Sequence, residues 1–334
     1  MASQPEYLLA SLAFLLLIVL PIMQILTGQL LYVHQIASTE SRIHNLQEVA
    51  HLLLYYPGLP ENWGSVPEVP QALGLALANR DCWLDAQKLF RLTSKSEYEI
   101  NYSVFAGLLS LHERGIDIRL VLRPPFNLSL SQNGTHIEIR TARWSGLPLP
   151  NVRVHLVMFD AFLNEIENST VYTDGYGRAA VSKPPDCAVV LAGAYYSGLF
   201  APAMLAITVS DDPTVKLHIE EDVSLRITVF TKRRMLIFIR GVSVFFDAQV
   251  TTHVTYSAIS FSSSISLNIP GRGFLFVLLY VFTGLRRHYV FVPYPPLFGY
   301  FDVYPAYGAN ITSSFSYSET VVVRGEIFEV VLSC

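Results

Sequence analysis

A chain of 334 residues with 51% hydrophobic and 12% aromatic content has material for two domains beside a membrane segment. Its net charge of -4, its charged fraction of 15% against a usual value of about 25%, and its lack of a basic stripe set aside a nucleic-acid partner. Three cysteines, Cys82, Cys187 and Cys334, make no disulfide framework. One bridge with a spare thiol and three unpaired thiols both fit, and Cys82 and Cys187 are expected to act as buried small apolar residues.

The first predicted element is YLLASLAFLLLIVLPIMQIL, Tyr7 to Leu26, interrupted only by Ser11, Pro21 and Gln24. Its 20 residues at about 1.5 Å each match a hydrocarbon core of about 30 Å and predict a transmembrane helix. A cleaved signal has a basic start and a shorter apolar core, so a retained helix is expected. No Lys or Arg precedes the run and Arg42 is the first after it, so flanking charge sets no orientation. Orientation comes from the Asn-x-Ser/Thr sequons at Asn101, Asn127, Asn133, Asn168 and Asn310. As candidate glycosylation sites they predict an extracellular body. Pro5 suits the first helical position, and Glu6 in the first turn complements the helix dipole.

The segment SQPEYLLASLAFLLL resembles the start of archaeal type IV pilin-like proteins exported through class III signal peptides. In that family a short basic leader precedes the segment, and residues 1–5 hold none. The resemblance implies that Glu6 meets the N-terminal amine of a neighbouring subunit and that Tyr7 continues the match. Pro21 corresponds to the helix-kinking proline, at a slightly different spacing. The implied partners are the lipid bilayer and like subunits, or other pilin-family subunits. The succession PGLPENW, GLA, KLF, a tyrosine-rich helix and IDIRLVL, within residues 52–122, also resembles the region after the helix in these proteins.

Beyond Thr27 the helix is expected to continue. Val33, Ile36, Ile43, Leu46, Ala50 and Leu53 fall at helical spacing, with His44, Gln47 and Glu48 on other faces. Over about three heptads this stripe predicts a seat on the chain's own globular part in preference to a coiled partner. Pro57, Gly58 and Pro60 stop the helix, and Trp63 is expected to anchor the next turn. A short helix is predicted over 84–92. Another starts at Ser96, where Ser96 and Glu99 form a capping-box pattern. Its apolar face is Tyr98, Tyr102, Phe105, Leu108 and Leu109, and Gly115 ends it.

From Ile116 the period becomes two, through Ile118, Leu120 and Leu122. Strands are predicted over 136–141 and 152–158, toward Val181, and across AVVLAGAYYSGLFAPA, with turns at SLSQNGT, SGLPLPN and Asp174-Gly175. GLPLPNVRVHL, TDGYGRAAV and VVLAGAYYSGL are similar to immunoglobulin-like or carboxypeptidase-regulatory-like sandwiches of surface proteins, which implies a seven-strand spacer or presenter. After Val215 come LRITVF, RRMLIFIR, SVFFDAQVTTHVTYSAI and SLNIP, all read as strands. FLFVLLYVF, at 274–282, is short for a transmembrane helix and predicts a strand buried on both faces. RHYVFVPYPPLFGYF reads either as an exposed aromatic partner surface or as a core-covering loop. SETVVVRGEIFEVVLSC predicts a closing hairpin bent at Arg324-Gly325.

The expected fold is α+β. A transmembrane and stalk helix covers 1–56, and a helical base with the first sheet strand covers 57–126. An immunoglobulin-like sandwich follows over 127–210, and a β-rich section over 211–334 completes the sheet. The strand near residue 118 and those after 215 are expected to share one sheet that seats the helix.

The nine histidines are scattered, and His44 and His51 share a helix face without a close carboxylate. Asp211-Asp212 and Glu220-Glu221-Asp222 lack an EF-hand loop. No P-loop and no G-x-S-x-G occurs. No catalytic, cofactor-binding or metal residue is assigned, no cofactor is implied and no enzyme activity is expected. The expected function is that of a membrane-anchored extracellular structural protein. It is pilin-like, and assembles through its apolar helix or acts as a pilus accessory subunit. The alternative is an anchored, adhesin-like module recognising a glycan, peptide or envelope protein, and an anchored enzyme ranks third.

Overall fold

Helix α1 (Gln4–Tyr55) is one rod of 52 residues, about 78 Å long at about 1.5 Å per residue. The computed structural model describes residues 4–80, 82–212, 215–221, 224–230, 237–246, 251–260, 264–270, 273–282, 287–300, 307–308 and 315–334. For residues 4–13 and 15–18, and for parts of the strands between 221 and 270, it describes the backbone alone.

The last turns of α1 are its seat. Leu46, Val49, Ala50, Leu53 and Leu54 are buried, whereas Val33 and Ile36 are exposed. The seated stripe therefore starts at Leu46, more than three turns beyond Val33, where its helical spacing suggested. Asn45 Nδ2 donates to the Arg114 carbonyl at 2.7 Å, and Glu48 pairs with Arg114, tying the stalk to the base.

The base holds β1 (Trp83–Leu84), α2 (Ala86–Arg91) and α3 (Tyr102–Leu108). Trp63 is fully buried and its Nε1 donates to the Gly74 carbonyl at 2.9 Å. At Gly74 a Cβ would stand 2.0 Å from the Tyr56 carbonyl oxygen, so the chain after the stalk turns back through a gap only glycine fits. Helix α3 is capped by Asn101, whose Oδ1 accepts from Val104 N at 3.0 Å. It is not capped by Ser96. Ser96 is buried beside Leu217, and Glu97 N donates to the Leu217 carbonyl at 2.8 Å. A tertiary strand contact thus displaces the capping box.

Strand β2 (Arg119–Arg123) alternates between buried and half-buried positions. It is followed by β3 (Asn127–Asn133), β4 (His136–Ala142), β5 (Arg153–Phe159), β6 (Glu165–Tyr172), β7 (Arg178–Ser182), β8 (Val189–Tyr196) and β9 (Leu199–Ala206). These seven form two sheets, of order β3-β4-β7 and β6-β5-β8-β9. Their facing side chains, among them Leu128, Ile137, Ile139, Leu156, Met158, Val190 and Ala192, make one core. This is an immunoglobulin/fibronectin-like sandwich.

A second unit repeats the first. It consists of β10 (Lys216–Glu221), β11 (Ser224–Phe230), β12 (Ile237–Phe246), β13 (Thr251–Ser260), β14 (Ser264–Pro270), β15 (Leu275–Phe282) and β16 (Arg287–Tyr294). Its sheet orders are β10-β11-β14 and β13-β12-β15-β16. Adding seven to each strand number of the first unit gives the second. The starts advance evenly, by 89 residues from Asn127 to Lys216 and by 84 from Arg153 to Ile237. The strands after residue 215 therefore do not share one sheet. Among the described strands after residue 215, β17 (Tyr307–Gly308), β18 (Ser316–Val323) and β19 (Glu326–Ser333) join the sheet of the base, in the order β1-β18-β19-β2-β17. Period-two alternation marks a strand but not its neighbour, and the ladders of the second unit join its strands to one another, apart from the bridge of Leu217 to Ser96 in the base.

The units stack. In β8, Val190, Ala192 and Ala194 face the first core, while Val189 and Leu191 face the larger core shared with the second unit. Gly193 lies against Phe246 of β12, where a Cβ would meet the Phe246 Cβ at 2.9 Å. Burial on both faces is why β8 reads as an unbroken apolar run. Leu275 to Val281 of β15 are likewise buried throughout. The aromatic run after β15 covers core, with Tyr294, Leu297 and Phe298 all buried.

A polar joint fixes the linker between the units to the base. Lys95, 1% exposed, pairs with Asp211 and donates from Nζ to the Asp212 carbonyl at 2.5 Å. Asp212 pairs with His288 of β16, and Asp211 Oδ1 accepts from Phe291 N at 2.9 Å. Burial pushes the Asp211 carboxyl up, against the pull of Lys95.

Candidate functional site

Two regions offer themselves, the free part of α1 and an edge of the first sandwich. Along α1 the apolar side chains from Val19 to Ile36 are exposed, with Leu30 at 70% and Tyr32 at 65%. They are exposed on every side of the rod, so no face of it is buried by the described residues. Glu6 and Tyr7 fall in its first turns, with their side chains outside the described residues. Pro21 lies inside the helix, exposed, and the helix runs on through it. Thr27 Oγ1 donates back to the Met23 carbonyl at 2.7 Å. Among the described residues no helix is long and apolar enough to cross a membrane. Most side chains of the run Tyr7–Leu26 lie outside that set, so its length and hydropathy rest on the sequence, which has no Asp, Glu, Lys or Arg in it.

The sequon asparagines that are described lie at or near solvent. Asn101 caps α3 and is exposed, and Ser103 Oγ of the same sequon donates to its Oδ1 at 2.8 Å. Asn127 opens β3, half-buried. Asn133, at the far end of β3, donates from Nδ2 to Glu138 at 2.6 Å. Asn168 is exposed on β6, an edge strand. Asn310 lies outside the described residues.

Asn127 also lines a groove of about 280 Å³, together with Ser129, Trp144, Met204 and Tyr300. Its floor is fixed by Tyr300. That hydroxyl accepts from Leu128 N at 3.2 Å and lies 2.9 and 2.8 Å from the Leu128 and Pro202 carbonyls, to one of which it donates. The edge of β3 is thereby capped by a side chain. Trp144 donates from Nε1 to the Pro124 carbonyl at 2.8 Å, and the Arg123 guanidinium lies 4.4 Å from its ring centre. Arg123, Trp144 and Tyr300 were not singled out from the sequence. They are 177 residues apart from first to last, and nothing short of the fold brings them together.

Among the described residues no three His, Cys, Asp or Glu side chains converge as metal ligands, and the three cysteines are free thiols. Cys187 is buried, whereas Cys82 is half-exposed, with its Sγ 3.6 Å from the Tyr55 hydroxyl, and so departs from the expected buried role.

No family model and no curated protein matches the chain. Among solved structures it is similar to trypsin-activated alpha-2-macroglobulin from Escherichia coli, at 10% identity over 58% of this chain and 19% of that one, with a TM-score of 0.22. It is also similar to a tetra-tandem repeat in the extending region of a large adhesion protein, at 13% identity over 60% and 53%, TM-score 0.22. The chicken CNTN1 FN1–FN3 domains match at 14% identity over 51% and 65%, TM-score 0.17. The chain spans about a fifth of the first of these and less than two thirds of the others. At such scores the likeness carries no argument, and the class rests on strand order. The protein is mostly β-sheet, with immunoglobulin/fibronectin-like sandwiches and one long N-terminal helix.

Proposed function

We propose that the protein is an anchored, extracellular structural protein of pilin-like build, held by the apolar half of α1 in lipid and able to exchange lipid for the helices of like subunits. One observation carries this reading. A helix that is apolar on all sides, and uncovered from Val19 to Ile36, needs a nonaqueous surrounding that its own chain does not supply. The sandwiches at its other end form a rigid projecting head. Within an assembly Glu6 offsets a neighbouring amine, since a buried charge requires a partner. Localisation at the cell membrane with the head outside follows from the same reading, supported by the solvent-side sequons.

Alkaline extraction of membranes tests the anchor. The full chain stays in the pellet, and the double variant Phe14→Arg, Leu17→Arg moves to the supernatant, because each central arginine costs about 2.5–3.5 kcal/mol. Recovery of the unaltered chain as single particles in detergent-free buffer refutes the anchor. Electron microscopy of sheared cells tests assembly. Glu6→Gln loses filaments but keeps membrane partition, and undiminished filaments refute the role of Glu6.

A further inference from the structure

The outward face of the β3-β4-β7 sheet carries a feature that stability alone does not favour. Arg140 of β4 stands directly opposite Arg178 of β7, and both are exposed. Like charges directly opposite on neighbouring strands are destabilising. Glu138 lies 3.5 Å from Arg140, accepts from Asn133 and is held ionised by Arg140 and Arg178 as well, so one carboxylate stands against two guanidinium groups. Arg143, just past the end of β4, adds a third exposed cation, in a protein of net charge -4.

The aromatic residues lie at the same end. The β4–β5 and β6–β7 turns are laced together through Thr141 N to the Gly177 carbonyl at 2.8 Å and Asn151 N to the Thr173 carbonyl at 2.9 Å. They present Tyr176, which is 78% exposed, whereas Tyr172 alternates with core-facing Val171 and belongs to the outer face of the other sheet. Asp174, the one acid there, accepts from Tyr176 N and Arg178 N and so is spent on its own turn. Ser129, Arg140 and Arg178 are in register across the three strands. With strands about 4.8 Å apart, they span about 10 Å. At the Ser129 end this row runs into the groove beside Trp144.

We propose that this face binds an anionic polysaccharide bearing uronate carboxylates. Arg140 and Arg178 take successive carboxylates through paired N–H donors. The exposed ring of Tyr176 lies against a sugar face, and the amide and hydroxyl of Asn127 and Ser129 meet sugar hydroxyls. The regular row favours a linear, repeating ligand. The groove sets Leu128, Trp144 and Met204 beside Asn127 and Ser129, a mix that suits the apolar face and hydroxyl rim of a sugar ring, and an acidic peptide is the alternative that the controls separate. The bound carboxylates offset the Arg–Arg repulsion. The proposal is independent of how α1 is covered.

The test uses the full chain in detergent micelles, from a host that does not N-glycosylate it, titrated with oligogalacturonate. Methyl-esterified oligogalacturonate and poly-L-glutamate serve as controls. The expected result is salt-sensitive binding of oligogalacturonate alone, weakened at least tenfold by Arg178→Gln and by Tyr176→Ala. Arg178→Gln also raises the thermal midpoint of the free protein, by relieving Arg140, and this separates lost binding from lost folding. Equal binding of poly-L-glutamate assigns the face to an acidic peptide and overturns the proposal. So does oligogalacturonate binding that neither substitution alters, or no binding at all.

Discussion

Two buried ionisable residues show how the interior sets protonation. His155 of β5 is buried, with Nδ1 2.7 Å from Thr170 Oγ1, and its Nε2 has no hydrogen-bond partner among the described residues. Burial, and secondarily Arg153, hold its imidazole below the ordinary histidine range. Between the two pKa values the unfolded chain therefore binds more protons than the folded one. Stability is present above the ordinary range and is lost as pH falls. The thermal midpoint is expected to drop from about pH 7 to about pH 5, and His155→Gln to flatten that slope in a melting series. At the polar joint the sign reverses. Asp211 has its carboxyl raised by burial, so the folded state binds the extra proton and this group's contribution declines as pH rises. Lys95→Met is expected to cost about 3–5 kcal/mol at pH 7, because it takes the cation from a largely buried carboxylate and leaves it only the Phe291 amide. The cost shrinks as pH falls and Asp211 takes up a proton, and denaturant midpoints across a pH series check this. Nothing in the spacing of Lys95, Asp211 and His288 announced the joint, since the acid pair reads as solvated until a buried lysine is placed against it.

At the scale of elements, the seat of α1 and the contact between sandwiches bear most on the arrangement. Leu53 is fully buried under the helix, so Leu53→Ala is expected to cost about 2–5 kcal/mol by leaving a cavity, read from the shift in denaturant midpoint. Gly193→Val forces branched carbon into Phe246 and is expected to cost about 1–3 kcal/mol. The helix end, the alternating β2 and the turn at Asp174 were legible locally, because each depends on its own few residues. The start of α3 was not. Ser96 and Glu99 carry the right pattern, yet the backbone there bonds to Leu217, more than a hundred residues away.

Across the whole molecule, the shared layer between the sandwiches couples their stability. Calorimetry of the solubilised chain is expected to give one transition for the two units, and Gly193→Val to broaden or split it, since that residue lies at their contact. Two independent transitions in the unaltered protein contradict this coupling. The sequence by itself determined the apolar N-terminal rod, the switch from helical to period-two patterning near Ile116, and the turn chemistry of the first sandwich. These follow from composition and short-range geometry. Only the tertiary structure decided that the strands after residue 215 form a second copy of the first topology, that β8 is sandwiched between two cores, and that Arg140 faces Arg178. Strand partners and stacked faces are chosen by side chains far apart in the chain, and a pattern of period two is equally consistent with any of those pairings.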